Sequence, residues 1–289
     1  MNTRIITTFT AVLIATLAAV PSASAAASTN EIQLITRGDD MGVCHTANEA
    51  CIAAYRDGIV RSVEVIVPGQ WFLEAAKMLN ENPGVDVGVH LCLTSEWERV
   101  KWRPITHGKS LVDGDGYFYP MTAQRADFPP NTGFLYANPK LEEVESELRA
   151  QIELAKKHIK NITHLSVHMG TATASPALRQ LTQRLAEEYK LPEVIAGARY
   201  AGFSGKTAAE KEASLLATLE KLQPGVYIMV EHPGFDTPDM RSLGHKGYWD
   251  VASDRDAVTR TFTSEKAKQV IKDRKIRVVS YGDVIRQGK

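Results

Sequence analysis

Seven short apolar runs rich in Ile and Val alternate with longer segments of helical period, and few architectures accept that order. The runs are Ile32 to Thr36, Ser62 to Val67, Val85 to Leu93, Ile162 to His168, a weaker Glu193 to Ala196, Val226 to Glu231 and Ile276 to Ser280. Between them lie helical candidates: Asn48 to Asp57, Trp71 to Asn80, Leu141 to Ile159, Ala177 to Tyr189, Ala208 to Leu222 and Ser264 to Arg274. The third is the clearest. Leu141, Val144, Leu148, Ile152, Ala155 and Ile159 keep a spacing that draws one apolar stripe along a helix. Strand followed by helix, repeated, predicts a parallel sheet, since each parallel neighbour needs a crossover.

Polar residues select among parallel-sheet folds. Asp39 and Asp40 follow the first run, His90 lies near the end of the third, His168 ends the fourth, and Glu231 and His232 close the sixth. All fall at carboxyl ends of strands. An open doubly wound sheet would use only the strands at its switch point, whereas a barrel lets many strands aim side chains into one mouth. The expectation is an α/β fold, a TIM-like (β/α) barrel of seven strands. No fixed-period repeat or linker divides the chain, so residues 26–289 read as a single domain.

One segment breaks the rhythm. Thr94 to Pro139 has little periodicity, several turn signals (Asp113-Gly114, Asp115-Gly116, Pro129-Pro130) and eight of the chain's 21 aromatics. A long irregular segment in a compact domain is usually functional, and this insertion leaves the strand that carries His90. Trp97 and Trp102, at its start, are candidate sugar-stacking residues. The competing reading is that these aromatics form the loop's own small core.

Composition excludes some partners. With 34 Lys plus Arg against 34 Asp plus Glu, no basic footprint for nucleic acid exists. Residues 1–25 carry one cation, Arg4, an apolar stretch from Ala11 to Val20 and the triplet Ala23-Ser24-Ala25, the layout of a cleaved secretory signal. That stretch is shorter than the roughly 20 apolar residues of a membrane span. The expected product is exported, periplasmic or secreted, without a membrane span. Three cysteines, Cys44, Cys51 and Cys92, give no disulfide framework.

The chemistry starts at Gly38-Asp39-Asp40-Met41-Gly42. Alone, an Asp-Asp pair reads as a turn or helix cap. Adjacent carboxylates on a strand point in different directions, so one can hold a metal while the other faces a bound water. His90, in Gly88-Val89-His90-Leu91, and the pair His164 and His168 shift the balance toward a metal. If Thr163 to His168 is a strand, the two histidines share a face but stand about 13 Å apart at about 3.3 Å per residue. Only one can then reach the ion. His168, nearer the carboxyl end, is assigned to it, and His164 to a structural or outer-shell place. Asp40, His90 and His168 would give one carboxylate and two imidazoles, a pattern that leaves positions open for water and substrate.

The stretch Arg37-Gly38-Asp39-Asp40-Met41-Gly42, then Asn48-Glu49-Ala50, Asp57-Gly58-Ile59-Val60, Gly88-Val89-His90-Leu91, Thr163-His164-Leu165-Ser166-Val167-His168-Met169 and Glu231-His232-Pro233-Gly234 resembles the YdjC family of carbohydrate deacetylases, the group containing chitooligosaccharide deacetylase. The resemblance runs in order through nearly the whole chain after the leader. It implies a TIM-like barrel and removal of acetyl groups from N-acetylated sugars with one divalent metal. It also implies Asp39 as the catalytic aspartate, Asp40, His90 and His168 as metal ligands, and His232 as a catalytic histidine at the mouth. The family commonly uses Mg²⁺, whereas the ligand types alone suit Zn²⁺. Ser166 stands where many members carry an acid, so the outer shell differs, and the aromatic insertion differs as well.

Amide hydrolysis requires an activated water, a stabilised oxyanion and a protonated leaving amine. Asp39 would take the water's proton and His232 would protonate the nitrogen. Glu231 would either orient His232 or point away. His45, Arg255 and Asp256 would either line the mouth or occupy surface and helix-end positions. Two other classes compete: a barrel phosphoesterase, which would gather cations such as Arg37, Lys101 and Arg103 around the metal, and a non-catalytic periplasmic sugar-binding protein, for which the ionisable groups at strand ends would be superfluous.

Overall fold

The first strand outruns its apolar residues. In the computed structural model, which describes residues 30–193 and 195–287, β1 (Ile32–Met41) extends five residues past Thr36 and carries both aspartates. The expected leader, residues 1–25, lies outside the described residues. On one side of β1 lie β2 (Ser62–Val65), β3 (Asp86–Leu91) and β4 (Ile162–Val167); on the other lie β6 (Gly225–Glu231) and then β5 (Arg199–Tyr200). Every pairing is parallel. β7 (Arg277–Val279) pairs with residues 33–35 of β1, and β2 pairs with residues 37–41. Because β6 occupies the opposite edge along residues 32–38, β7 and β2 share one edge of β1 in tandem.

Among the described residues seven strands are present, but they do not close into a barrel. The outer strands of the path, β4 and β5, do not pair among the described residues, so the sheet is an open half-barrel. The fifth strand lies at Arg199–Tyr200 rather than at the expected 193–196, of which residue 194 lies outside the described residues, and a left-handed turn at Gly197 (φ 80°) precedes it. Two residues are too few to span the gap. The chain after Tyr189 touches β4 through one backbone bond, Leu165 N to Pro192 O at 3.1 Å.

Among the described residues eight α-helices accompany the strands: α1 (His45–Arg56), α2 (Phe72–Glu81), α3 (Leu141–His158), α4 (Pro176–Tyr189), α5 (Ala208–Lys221), α6 (Val251–Phe262), α7 (Glu265–Asp273) and α8 (Tyr281–Gln287). The stripe on α3 buries Val144, Leu148, Ile152 and Ala155, and the three larger side chains are each worth about 1.5 to 3 kcal/mol of transfer free energy. Ser175 caps α4, and Thr207 with Glu210 forms a capping box on α5. α6 has no clean apolar stripe in sequence because Arg255, Thr259 and Thr261 are themselves buried on it.

Strand alternation sorts the sheet into an apolar and a polar face. Val63, Val65, Val87, Val89, Leu91 and Leu165 enter the hydrophobic core. Their neighbours Glu64, Gly88, His90, His164 and Ser166 turn to the other face, where the polar side chains bond one another. Gly88 is required there, since a Cβ would stand 2.0 Å from Glu64 Oε2.

The 94–139 insertion packs around its own apolar centre: Trp97, Trp102, Leu111, Phe118 and Phe134 are all buried. α3 pins it in place. Glu147 accepts from the backbone of Ile105 (3.1 Å) and Thr106 (2.9 Å), and Gln151 bonds both backbone groups of Cys92 (2.9 and 2.7 Å).

Candidate metal centre

A break in the β1 ladder gathers the acids. Its register with β2 shifts between Gly38 and Met41, and Asp40 adopts a left-handed backbone (φ 67°). A regular strand would send Asp39 and Asp40 to opposite faces. The bulge instead brings both toward His90, whose Nε2 lies 3.6 Å from Asp39 Oδ2 and 3.8 Å from Asp40 Oδ1. Here the expectation of divergent carboxylates is corrected. Left-handed geometry at a non-glycine residue costs on the order of 1 kcal/mol or more and is concentrated at functional sites.

His168, at the carboxyl end of β4, places Nδ1 3.3 Å from Asp40 Oδ1. Asp40, His90 and His168 thus offer donor atoms within 4.8 Å of one another, all buried. His164 does not join them. Its Nε2 donates to Glu64 Oε1 (2.7 Å) and its ring stacks on Tyr281 at 4.1 Å, as expected of an outer-shell residue four positions before His168.

This set fits a divalent cation on an observation independent of family. Asp40 Oδ1 is buried and has no hydrogen-bond partner, although it faces two imidazole nitrogens. An orphaned carboxylate oxygen is costly unless something cationic engages it. Burial holds His90 down to about 4, with Asp39 opposing, which leaves a neutral imidazole suited to ligation. For His168, burial opposes charge, but Glu96, Cys92 and Asp40 together outweigh the penalty and hold it well above the ordinary value, so an ion would displace a proton. Asp40 stays well below the usual carboxylate range because His232, Arg255 and His168 outweigh its desolvation.

Each inner residue is backed by another. His90 Nδ1–H donates to Ser166 Oγ (2.7 Å), and Ser166 Oγ donates in turn to Glu64 Oε2. Ser166 therefore orients His90 rather than His168, and β2 supplies the acid. Burial would raise Glu64, but His164 and Arg37 bring it down to about 2. Arg37 grips both oxygens of Asp39 (2.6 and 2.7 Å) and also donates to Tyr281 Oη (3.2 Å). Arg255 donates to Asp40 Oδ2 at 2.8 Å and lies over the Trp97 ring at 5.2 Å.

His232 stands at the mouth, with Nε2 3.7 Å from Asp40 Oδ2 and 41% of its side chain exposed. Desolvation lowers its pKa against the pull of Asp40, and solvent access limits that effect. Glu231 makes no hydrogen bond to His232; burial pushes it up to about 7, with Lys211 opposing. His45 pairs with Glu74 (2.8 Å) and Glu49 (3.4 Å), and Asp256 with Arg260 (2.6 Å), so neither engages the Asp40 cluster.

Trp97 and Trp102 are corrected. Both are 2% exposed, leaving no face for a sugar ring to stack from solvent. Trp102 Nε1 donates to Thr94 O (2.9 Å), and Trp97 stacks on His245 at 5.6 Å. A loop this long needs an interior, and these rings supply it.

Glu64 and Glu96 carry structural weight that the sequence pattern does not assign, although a carboxylate inside the apolar run Ser62 to Val67 and an acid just past the strand bearing His90 are signals for them. Of the three residues that could line the mouth, Arg255 is the one that engages the Asp40 cluster, from a helix, α6, that the sequence pattern does not announce.

The model of YdjC-like proteins matches residues 33–273. A carbohydrate deacetylase of Thermus thermophilus is 34% identical over 238 residues, covering 73% of this chain and 80% of the relative. One from Brevibacillus brevis is 27% identical over 270 residues, covering 88% and 100%. A solved structure of a candidate cellobiose-phosphate cleavage protein from Enterococcus faecalis shares the fold, with a TM-score of 0.72 at 23% identity over 88% of this chain and 99% of that one. The match over most of the chain, together with the Thermus relative, makes this protein a member of the YdjC-like family.

Proposed function

We propose that this chain is a metal-dependent hydrolase that removes acetyl groups from N-acetylated sugars or oligosaccharides, and that it works after export, in the periplasm or outside the cell. The observation that carries the reading is the convergence of Asp40, His90 and His168 on one buried point, with Asp39 beside them. The deacetylase names of the curated relatives support the choice of carbohydrate and of acetyl transfer to water. A divalent ion, Mg²⁺ by family or Zn²⁺ by ligand type, would supply Lewis acidity toward a water and an acyl oxygen.

The chain's own residues do the rest. Asp39, fixed in orientation by the Arg37 fork, would accept a proton from the attacking water. His232, on the open side, would give a proton to the departing nitrogen. Arg255 holds Asp40. The phosphoesterase alternative loses support, because the nearby cations are already engaged: Arg37 by Asp39, Arg255 by Asp40, Lys101 by the Ser95 carbonyl (2.9 Å) and Arg103 over Tyr117.

Acetate release from a panel of N-acetylated mono- and oligosaccharides, with and without chelator, tests the reading. Chelator-sensitive acetate release is expected. Phosphate release from sugar phosphates without acetate release would overturn it.

A further inference from the structure

Glu96 enters the site from the insertion rather than from the sheet, and the proposed reaction assigns it no task. Its Oε2 lies 3.0 Å from His168 Nε2, while Nδ1 of the same ring faces Asp40 Oδ1 at 3.3 Å. Both residues are buried, at 6% and 3% exposure. The strand of chain around Glu96 is tied on both sides: Ser95 N donates to Tyr119 O (3.0 Å) and Glu98 N to Gly244 O (2.9 Å). Trp102 meets the imidazole edgewise at 6.2 Å and limits its rotation.

An imidazole that ligates through one nitrogen needs the other protonated and aimed at an acceptor, which fixes both tautomer and ring plane. For His168 the acceptor outside the donor cluster is Glu96, on Nε2, so Nδ1 is the nitrogen left to ligate. His90 has the opposite assignment: Nδ1 is spent on Ser166 and Nε2 faces the aspartates. We infer that Glu96 is a positioning residue that sets His168 to bind the ion through Nδ1, so that the insertion completes the metal site. The inference rests on the reading that Asp40, His90 and His168 hold a divalent ion. Glu96 also walls a cleft of about 650 Å³ in the insertion, with Lys101, Phe128, Pro129 and Lys246, so the cleft and the ion site share one carboxylate.

Titration of the metal-free full chain with Zn²⁺ alone, followed by calorimetry, tests this without any sugar. Glu96→Ala should weaken binding about 10- to 100-fold, the usual cost of losing such a partner. Glu96→Gln should restore part of that affinity, because its amide oxygen still accepts from Nε2. Glu98→Ala, on the same cleft but bonded to Lys246 N (3.0 Å), should leave binding unchanged. Thermal unfolding of each metal-free form establishes that it is folded; if Glu96→Ala is not, the smaller loss expected in Glu96→Gln carries the test. Full Zn²⁺ affinity in the folded Glu96 variants overturns the inference alone. Failure of the unsubstituted chain to take up Zn²⁺ or Mg²⁺ overturns the metal reading and the inference with it.

Discussion

His90 and His168 stand 5.3 Å apart, ring to ring, yet different parts of the chain hold them. His90 is backed by strands: Ser166 on β4, then Glu64 on β2, then His164 on β4 again. His168 is backed by Glu96 of the insertion. Sheet residues are over-determined by ladder bonds and packing, so the His90 side belongs to the most stable part of the fold. The His168 side depends on a segment without a regular ladder, held by side-chain bonds from α3 and by its own aromatic centre. One half of the site is built with the scaffold, and the other is added to it.

The largest effects should ignore that division. Asp40→Ala, His90→Ala and His168→Ala are each expected to abolish metal uptake and turnover together, as metal analysis of the purified variants would reveal, because two remaining ligands hold a labile ion poorly. Full occupancy in the His168 variant would break the symmetry and remove the insertion from the site. Asp39→Asn should keep the ion and lose roughly 10²- to 10⁴-fold in turnover, since the carboxamide no longer accepts the proton. Near-normal turnover would demote Asp39 to a partner of Arg37.

Stability should separate the two halves. Glu64→Ala leaves His164 and Ser166 buried without their acceptor and should cost about 3 to 5 kcal/mol in denaturant unfolding, more than Glu96→Ala does. A reversed order would show that the strands are not the firmer support. Trp102→Ala should cost about 3 to 5 kcal/mol as well, with the Michaelis constant of the folded fraction unchanged. A raised constant at unaltered stability would return Trp102 to the substrate.

The smallest effect concerns Glu231. Its ordinary value is 4.5 and burial pushes it up to about 7, with Asp254 and Asp39 adding to the shift and Lys211 opposing it. Between those values the folded chain retains a proton that the unfolded chain has released, so this group lowers stability as pH rises through the window. Glu231→Gln should flatten that part of the profile, read as a stability gain at pH 8 that is absent near pH 4. An identical profile in both proteins would mean that Glu231 is well solvated.

The positions of Asp40, His90 and His168 were legible because each polar residue ends an apolar run, and the rise of a strand, about 3.3 Å per residue, separated His168 from His164 although they share a face. The convergence of Asp39 with Asp40 was not, since it rests on a left-handed backbone at Asp40 that no local pattern announces. Glu64 was visible as a charge among valines, but its purpose depends on β2 lying beside β3 and β3 beside β4, a sheet order that short-range pattern does not encode. The aromatic richness of the insertion was equally compatible with a sugar platform and with an interior, and burial chose the interior. The barrel failed to close because β5 holds two residues, a length that periodicity could not limit.

Tyr281, the first residue of α8, stacks on His164, accepts from Arg37, and has its backbone N bonded to Ser62 Oγ, while the next residue, Gly282, donates to Asp86. The residues proposed as ligands lie between positions 40 and 168, but the floor beneath them is laid by the last helix described. A ribosome therefore releases the ligands long before it releases the residues that steady them. During synthesis the nascent chain carries Arg37, Glu64 and His164 as polar groups without their neighbour from α8, and the pocket acquires its final shape only when α8 is free to dock.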